Sequence, residues 1–95
     1  MPIDNMPRPR KIRKIRFDPE VTYYKPAGVP MRELEDIEIS KAELEAIRLN
    51  DFKGLDQTES SGKMNISQPT LHRILISARK KIAEALVKGK AIRIE

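Results

Sequence analysis

Four polar side chains, Gln68, Thr70, His72 and Arg73, stand at the start of a long segment with helical periodicity. Glutamine can form two hydrogen bonds with adenine, arginine can do the same with guanine, and threonine can contact a base edge or the thymine methyl group. The pattern therefore indicates base contacts in the major groove of double-stranded DNA. The alternative is that Gln68 and Thr70 form an ordinary polar first turn and that His72 is a surface residue.

Contacts to DNA phosphates are expected from a second set of residues, which are cationic or cap a helix. They are Arg8, Arg10, Lys11, Arg13, Lys14, Arg16, Ser67, Arg79 and Lys80. Cationic side chains and the N–H groups at helix starts both bind phosphate oxygens. The N–H groups at the starts of the second and third predicted helices are candidates for this role. Alternatively, Arg79, Lys80 and Lys81 are solvated charges, and the first sixteen residues form a tail that only aids solubility.

The residue types present argue against catalysis and metal binding. The chain contains no cysteine and one histidine, so disulfides and thiolate metal sites are excluded. His72 has no second metal ligand or suitably placed acid near it in the sequence. We find no nucleophile and base pair, phosphate-binding loop or metal-ligand cluster in the sequence. We therefore expect a protein that is not an enzyme and that needs no cofactor.

Length and charge favour one small domain with a polyanionic partner. The chain has 95 residues and is 39% hydrophobic, which allows one modest core. Residues 1–16 and 57–95 each carry a net charge of +5, whereas residues 17–56 carry −5. Lys and Arg gain affinity for nucleic acid by releasing counterions from phosphates. The sequence lacks an apolar run of about 18 residues and a signal peptide, which predicts a cytoplasmic protein without a membrane partner.

The chain divides into an arm and a domain. Residues 1–16 combine prolines with many cations and predict a disordered basic arm. Residues 17–95 predict a single helix-turn-helix domain with its core at 54–86. We expect a short extended piece near Val21 to Tyr24, with both tyrosines packed against the core. Alternating residues near both ends of the domain predict a small two-stranded pairing, with Ile37, Ile39, Ile92 and Ile94 on one face.

Local signals predict where the three helices begin and end. Ser40 with Glu43 and Asp56 with Glu59 form capping-box patterns for the first two helices. The first helix should end near Phe52, before Gly54, and the second should span about residues 57 to 64. Asn65 then occupies a tight turn that requires positive φ, Ile66 fills the corner, and Ser67 caps the third helix. Pro69 fits the first turn of that helix.

The third helix carries two apolar stripes. The broader one should face the core and consists of Leu71, Ile74, Leu75, Ala78, Ile82, Ala85 and Leu86. A weaker stripe lies nearly opposite and consists of Ile76, Ala83 and Val87. We expect the aromatic segment around the tyrosines or the terminal strand to cover this second stripe. The alternative is that it forms part of a homodimer interface.

The segments GLDQTE, MNIS, TLHRIL and ARKKIAEAL resemble the fourth region of bacterial sigma factors, whose helix-turn-helix binds promoter DNA. The chain is more similar to a family of short, uncharacterised prokaryotic proteins to which DNA binding is attributed. The segments PRPRK, YYKPAGVP, ELEAIRL and GKAIRIE carry that similarity over nearly the whole chain. The resemblance implies a sigma-like helix-turn-helix and a DNA-binding role, but it supplies no target.

The chain departs from this family at several positions. Ser60, Ser61 and Gly62 stand where the family usually has two alanines and a charged residue. Asn65 replaces the turn glycine, and Gln68 stands where a basic residue is common. Glycine within a helix costs about 1 kcal/mol relative to alanine, so Gly62→Ala should raise the melting temperature.

These observations predict a mainly α fold, a three-helix domain like sigma factor region four with a basic arm and a small β pairing. The predicted function is that of a sequence-specific double-stranded DNA-binding protein, a transcriptional regulator whose third helix enters the major groove. The alternative is a sigma-like protein-interaction module that contacts the transcription machinery, RNA polymerase or another regulator. The acidic middle of the chain would serve that purpose.

Overall fold

The computed structural model describes residues 22–94. It is mainly helical and contains a small three-stranded sheet. Its strands and helices are β1 (Thr22–Tyr24), β2 (Asp36–Ile39), α1 (Lys41–Ile47), α2 (Gln57–Met64), α3 (Gln68–Lys88) and β3 (Ala91–Ile94). The predicted arm of residues 1–16, with its phosphate contacts Arg8, Arg10, Lys11, Arg13, Lys14 and Arg16, lies outside the described residues.

Helices α1 and α2 begin at the predicted capping boxes. The Ser40 hydroxyl accepts a hydrogen bond from the Glu43 N–H at 3.1 Å, and the Glu43 carboxylate accepts one from the Ser40 N–H at 2.9 Å. Asp56 and Glu59 exchange the same pair of bonds at the start of α2. Both boxes satisfy N–H groups that have no partner within the helix, which explains why the helices start at these residues.

The connections between the helices also follow the local signals. A π-helical turn over Arg48–Phe52 continues α1, and Gly54 follows it with a φ of 76°. Between α2 and α3, Asn65 adopts the left-handed conformation with a φ of 58°. The Ser67 hydroxyl accepts a hydrogen bond from the Thr70 N–H at 3.2 Å and so caps α3. The predicted turn conformation and the predicted start of α3 are confirmed.

The core lies where α1 crosses α3. Ala46, Leu71 and Leu75 form its fully buried centre. The partly buried side chains packed against it are Ile47, Met64, Ile66 and Ile74. Ile66 therefore fills the corner between α2 and α3, as predicted. This core holds α1 and α2 on one side of α3.

The sheet has one strand more than the sequence predicted. Strands β2 and β3 run parallel, with Ile37 opposite Ile92 and Ile39 opposite Ile94, so the predicted pairing is confirmed. Strand β1 adds to the other edge of β3 in the antiparallel direction, which gives the order β1-β3-β2. A lone pair of strands is marginal in water, and the third strand satisfies the outer backbone groups of β3.

Two packing predictions are wrong. Tyr23 and Tyr24 point to opposite faces of β1, and both are exposed because neither face of this edge strand is covered. Leu86, assigned to the core stripe, is 76% exposed. The sheet contacts α3 on the flank of Lys81 and Glu84. Helical spacing places Leu86 on the other flank of α3, near the end of the helix and away from the sheet.

The second stripe of α3 is not covered as predicted. Ile76 and Val87 are exposed, and Ala83 between them is exposed as well. Neither β1 nor β3 reaches this face, because the sheet packs on the flank of α3 that carries Lys81 and Glu84.

No helix in the described part of the chain is long and apolar enough to cross a membrane.

Helix α2 carries two local weaknesses at the residues that depart from the family pattern. The Ser60 side chain is completely buried, and its hydroxyl has no hydrogen-bond partner. The neighbouring Ser61 hydroxyl donates to the Thr58 carbonyl at 3.1 Å. Gly62 lies inside α2 without a positive φ, and a Cβ added there would meet nothing within 4 Å.

We predict that Ser60→Ala stabilises the domain by roughly 1 to 3 kcal/mol, because it removes a buried polar group that gains no hydrogen bond on folding. Thermal unfolding followed by circular dichroism measures the change, and each kcal/mol corresponds to about 4 to 8 °C in Tm for a domain of this size. Ser61→Ala is the matched control and should gain less, because its hydroxyl is paired. A Tm for Ser60→Ala at or below the wild-type value would contradict this account.

We predict that Gly62→Ala raises the free energy of unfolding by about 1 kcal/mol, because alanine restricts the unfolded chain and has the higher helix propensity. The open space around Gly62 means that the added methyl group meets no atom that must move. Chemical denaturation measures the change. Gly54→Ala should have the opposite effect, since Gly54 has a positive φ.

Candidate nucleic-acid interface

One side of α3 remains in solvent along the whole helix. The residues on it are all exposed, and at 100° per residue they fall on a common face. We call this the exposed face of α3; it consists of Pro69, His72, Arg73, Ile76, Lys80, Ala83 and Val87. The core residues Leu71, Leu75 and Ala78 lie on the opposite side. Packing of that opposite side therefore determines which residues a ligand of α3 could meet.

Positive charge is concentrated on the first sixteen residues of this helix. Residues 68–83 contain four Lys/Arg and no Asp or Glu, and the first turn of α3 carries no acid. The start of α2 differs, because the carboxylates of Asp56 and Glu59 already accept from its first N–H groups. An anion is therefore favoured at the start of α3, where the helix dipole is positive and no carboxylate competes.

Gln68, the first predicted base contact, is held in place by α2. Its side chain is exposed, and its Nε2 donates a hydrogen bond to the Thr58 Oγ1 at 3.2 Å. An amide group carries two N–H donors and a carbonyl acceptor, so this bond uses one of three functions. Thr58 therefore orients Gln68 and leaves it groups with which to bind a base edge.

Thr70 and Arg73 lie differently from one another. Thr70 is half-buried, and its hydroxyl oxygen accepts from the Ser67 hydroxyl at 2.8 Å and from the Arg73 Nη2 at 3.4 Å. Arg73 and His72 are both exposed. The structure thus brings Gln68, His72 and Arg73 to the surface of the first turns of α3. Thr70 is less exposed and bonds to Arg73 and to the N-cap residue Ser67.

Arg79, a predicted phosphate contact, already has an acidic partner. Its Nε and Nη2 donate to the two carboxylate oxygens of Asp51 at 3.1 and 2.6 Å. The hydrogen bonds from Arg79 hold the pKa of Asp51 below its usual value, against a smaller opposing effect of burial. Guanidinium has five N–H donors, so Arg79 keeps others for a phosphate. Lys80 is exposed on the exposed face itself.

A buried acid fixes the middle of α3 against the rest of the domain. The Glu43 carboxylate accepts from the Ser77 hydroxyl at 2.6 Å and from the Lys81 ammonium at 3.0 Å. Lys81 also donates to the Glu38 carbonyl at 2.9 Å, so this cluster joins α1, β2 and α3. The sequence predicted only a cap for Glu43 and a solvated charge for Lys81. The spacing of Ser77 and Lys81, one turn apart beside the apolar stripe, was the available signal.

Burial and hydrogen bonding act in opposite directions on Glu43. Burial raises the pKa of its carboxyl, but hydrogen bonds from Ser40, Ser77 and Lys81, together with the positive charge of Lys81, outweigh that effect. The pKa of Glu43 therefore lies below its ordinary value of 4.5. A group whose pKa is lowered on folding stabilises the folded state above its unfolded pKa, and this contribution disappears as the pH falls through the folded pKa.

The chain matches a family of proteins whose function is not known. A sequence-family model described as "Protein of unknown function DUF134" matches residues 3–95. A UPF0251 protein of Dehalococcoides mccartyi is 57% identical over 90 residues, which are 95% of this chain and 77% of that protein. A UPF0251 protein of Caldanaerobacter subterraneus is 56% identical over 95% of this chain and 76% of its own length. No solved structure matches the chain.

We predict that Glu43→Gln destabilises the domain by about 1 to 3 kcal/mol at pH 7, because hydrogen bonds to a charged, buried group are lost. The difference from the wild type should begin to shrink as the pH falls below about 4.5, where Glu43 of the unfolded chain becomes protonated, and it should disappear as the pH falls through the lower pKa of the folded state. Urea denaturation across this pH range measures both effects. Glu45→Gln removes an exposed acid paired with Arg48 and should change the free energy of unfolding less. A pH-independent difference for Glu43→Gln would refute this role.

Proposed function

We propose that this chain, which belongs to the family described as protein of unknown function DUF134, binds double-stranded DNA through a helix-turn-helix formed by α2 and α3. The support is local geometry. Two capped helices are joined by a turn in which Asn65 has positive φ, and Ile66 fills the corner between them. The segment of sequence that forms this unit is the one that resembles sigma factor region four.

The observation that carries the proposal is the composition of the exposed face of α3. The first turns of α3 present Gln68, beside this face, and His72 and Arg73, on it, to solvent, and they belong to a run of sixteen residues without an acid. Side chains of these types bind base edges, and an acid-free surface avoids repulsion by phosphates. In this arrangement Gln68 bonds adenine, Arg73 bonds guanine, and His72 lies between them. Thr70 lies at the edge of this group and accepts a hydrogen bond from Arg73.

Phosphate contacts surround this group on the proposed interface. The N–H groups at the start of α3 with Ser67, the exposed Lys80 and the remaining donors of Arg79 hold the backbone on either side. The cations of residues 1–16 extend the contact to a neighbouring groove or strand. Binding then releases counterions and weakens steeply with salt. The cellular role that we propose for such site-specific binding is regulation of transcription.

The protein-interaction alternative relied on the acidic middle of the chain as a docking surface. Many of those acids instead bind the chain's own cations. Lys90 contacts Glu35 at 3.1 Å, and Arg93 contacts Glu38 at 3.1 Å. Glu43 and Asp51 are likewise engaged by α3. Because these charges are already neutralised, the arrangement favours DNA over a basic protein partner. Association with a protein that is insensitive to salt, without retention of DNA, would reverse that preference.

The proposed function is tested by selecting bound sequences from a pool of random duplex DNA. A recovered motif would establish specificity, and a palindromic motif would report a homodimer, since symmetric sites reflect symmetric proteins. Affinity for the motif measured between 50 and 200 mM salt should fall steeply. Failure of the wild-type protein to enrich any sequence, combined with retention of no duplex at low salt, would refute the proposal.

We predict that Arg73→Ala lowers the preference for the selected motif over random DNA by roughly 5- to 150-fold, because one good bidentate base contact contributes about 1 to 3 kcal/mol of discrimination. Removal of residues 1 to 10 should weaken binding to both duplexes alike, since phosphate contacts carry no sequence information. Fluorescence anisotropy with both duplexes measures the ratio.

Lys88→Ala is the matched control, because it removes an exposed cation from the other end of the same helix. It should leave the ratio of the two affinities unchanged. The assignment of α3 to the major groove would be wrong if removal of residues 1 to 10 alone abolished specificity.

A further inference from the structure

Ile76 is an apolar side chain in the middle of a polar, cationic surface. It is 52% exposed, and it lies on the exposed face of α3 between Arg73 and Lys80. Helices α1 and α2 pack on the opposite side of α3, and the sheet packs on one flank. The described elements therefore leave Ile76 open to solvent, where a partner outside the fold can reach it.

The position of Ile76 relative to the proposed base contacts is set by helix geometry. It follows Arg73 by three residues and His72 by four, so the three side chains are neighbours on one face. Three residues correspond to about 4.5 Å along the helix axis. Successive base pairs are about 3.4 Å apart. If Arg73 contacts one base pair, Ile76 comes to lie over the next one or two.

The chemistry of the major groove offers one apolar group to such a side chain. Every base pair presents hydrogen-bond donors or acceptors there, and thymine alone adds a methyl group. An isoleucine cannot form hydrogen bonds with a base edge, but it can cover that methyl group and remove it from water. The cations on either side, Arg73 and Lys80, complement the phosphates that border the groove.

A second copy of the chain is a poorer occupant for the same surface. Contact between two α3 helices around Ile76 would bring Arg73 and Lys80 of each copy close to those of the other. Like charges brought together at an interface cost several kcal/mol. Residues 68–83 contain no acid that could offset this repulsion. Charge complementarity therefore favours DNA at this part of α3.

We infer that Ile76 is a specificity-determining residue that contacts a thymine methyl group beside the base pair bound by Arg73. The inference rests on the proposed function and deepens it, because it adds an apolar contact to a site otherwise composed of hydrogen-bonding groups. It also explains why an isoleucine stands on a face where the fold does not bury it.

The experiment removes the methyl group from the DNA and the side chain from the protein in turn. Each thymine of the selected duplex is replaced singly by uracil, which keeps base pairing and lacks the methyl group. Anisotropy titrations are made with the wild type and with Ile76→Ala. At one thymine the wild type should lose roughly three- to tenfold in affinity, about the value of one buried methyl group. Ile76→Ala should bind the thymine and uracil duplexes equally.

Val87→Ala is the matched control. Val87 lies on the same face and is 83% exposed, but it is about 16 Å further along α3, beyond the roughly 12 Å width of the groove. This variant should keep the wild-type preference for thymine. Thermal unfolding should show that neither variant unfolds, because both side chains are exposed.

Three results would overturn the inference. One is a selected motif without any position at which loss of the methyl group weakens wild-type binding. Another is a preference for thymine that persists unchanged in Ile76→Ala, and the third is loss of that preference in Val87→Ala as well. In all of these the wild type still binds its motif, so the proposed function stands. Retention of no duplex by the wild type would instead refute the proposed function, and this inference with it.

Discussion

The packing of α1 against α3 is the contact on which the rest of the domain depends. Ala46 has a small side chain, which lets the two helices approach closely over Leu71 and Leu75. In a domain of this size such a core is the main source of stability. Because α1 and α2 occupy one side of α3 and the sheet one flank, the remaining side of a 21-residue helix stays in solvent. The candidate interface exists because the core covers only one side of α3.

Electrostatic pairing within the chain reinforces this division. Several acids of the middle segment form ion pairs near the sheet. Lys81 binds Glu43, Lys90 binds Glu35, and Arg93 binds Glu38. These pairs neutralise charge beside the sheet, whereas Arg73 and Lys80, in the first sixteen residues of α3, form no ion pair with any described residue. The uneven distribution of charge along the sequence thus becomes an uneven distribution of charge over the surface. Two hydroxyl groups also order side chains on this surface, because Thr58 accepts a hydrogen bond from Gln68 and Thr70 accepts one from Arg73. Side chains that are ordered before binding lose less entropy when a ligand arrives.

The residues around α2 show how local departures from a family pattern affect stability without changing the fold. Ser60 carries an unpaired buried hydroxyl, and Gly62 weakens the helix, yet α2 spans the residues that its caps predict. The core contacts of Met64 and Ile66 lie at the end of α2 and beyond it, and the N–H groups of Asn65 and Ile66 still donate to the carbonyls of Gly62 and Ser61. A helix of eight residues is marginal by itself, and tertiary packing supplies the rest of its stability. The same packing holds α3 at its first turns, where the candidate base contacts lie.

The sequence by itself determined the starts of the helices, the turn at Asn65 and the placement of Ile37, Ile39, Ile92 and Ile94 on one face of a strand pairing. These features depend on interactions between residues a few positions apart, or on the alternation of side chains along a strand. Tertiary structure alone decided that β1 joins the sheet, that Tyr23 and Leu86 are exposed, and that Ser77 and Lys81 bind Glu43. Periodicity shows that a side chain lies on a given face of an element. Whether that face is covered depends on which distant segment packs beside it, and Ser77, for example, lies 34 residues after its partner Glu43.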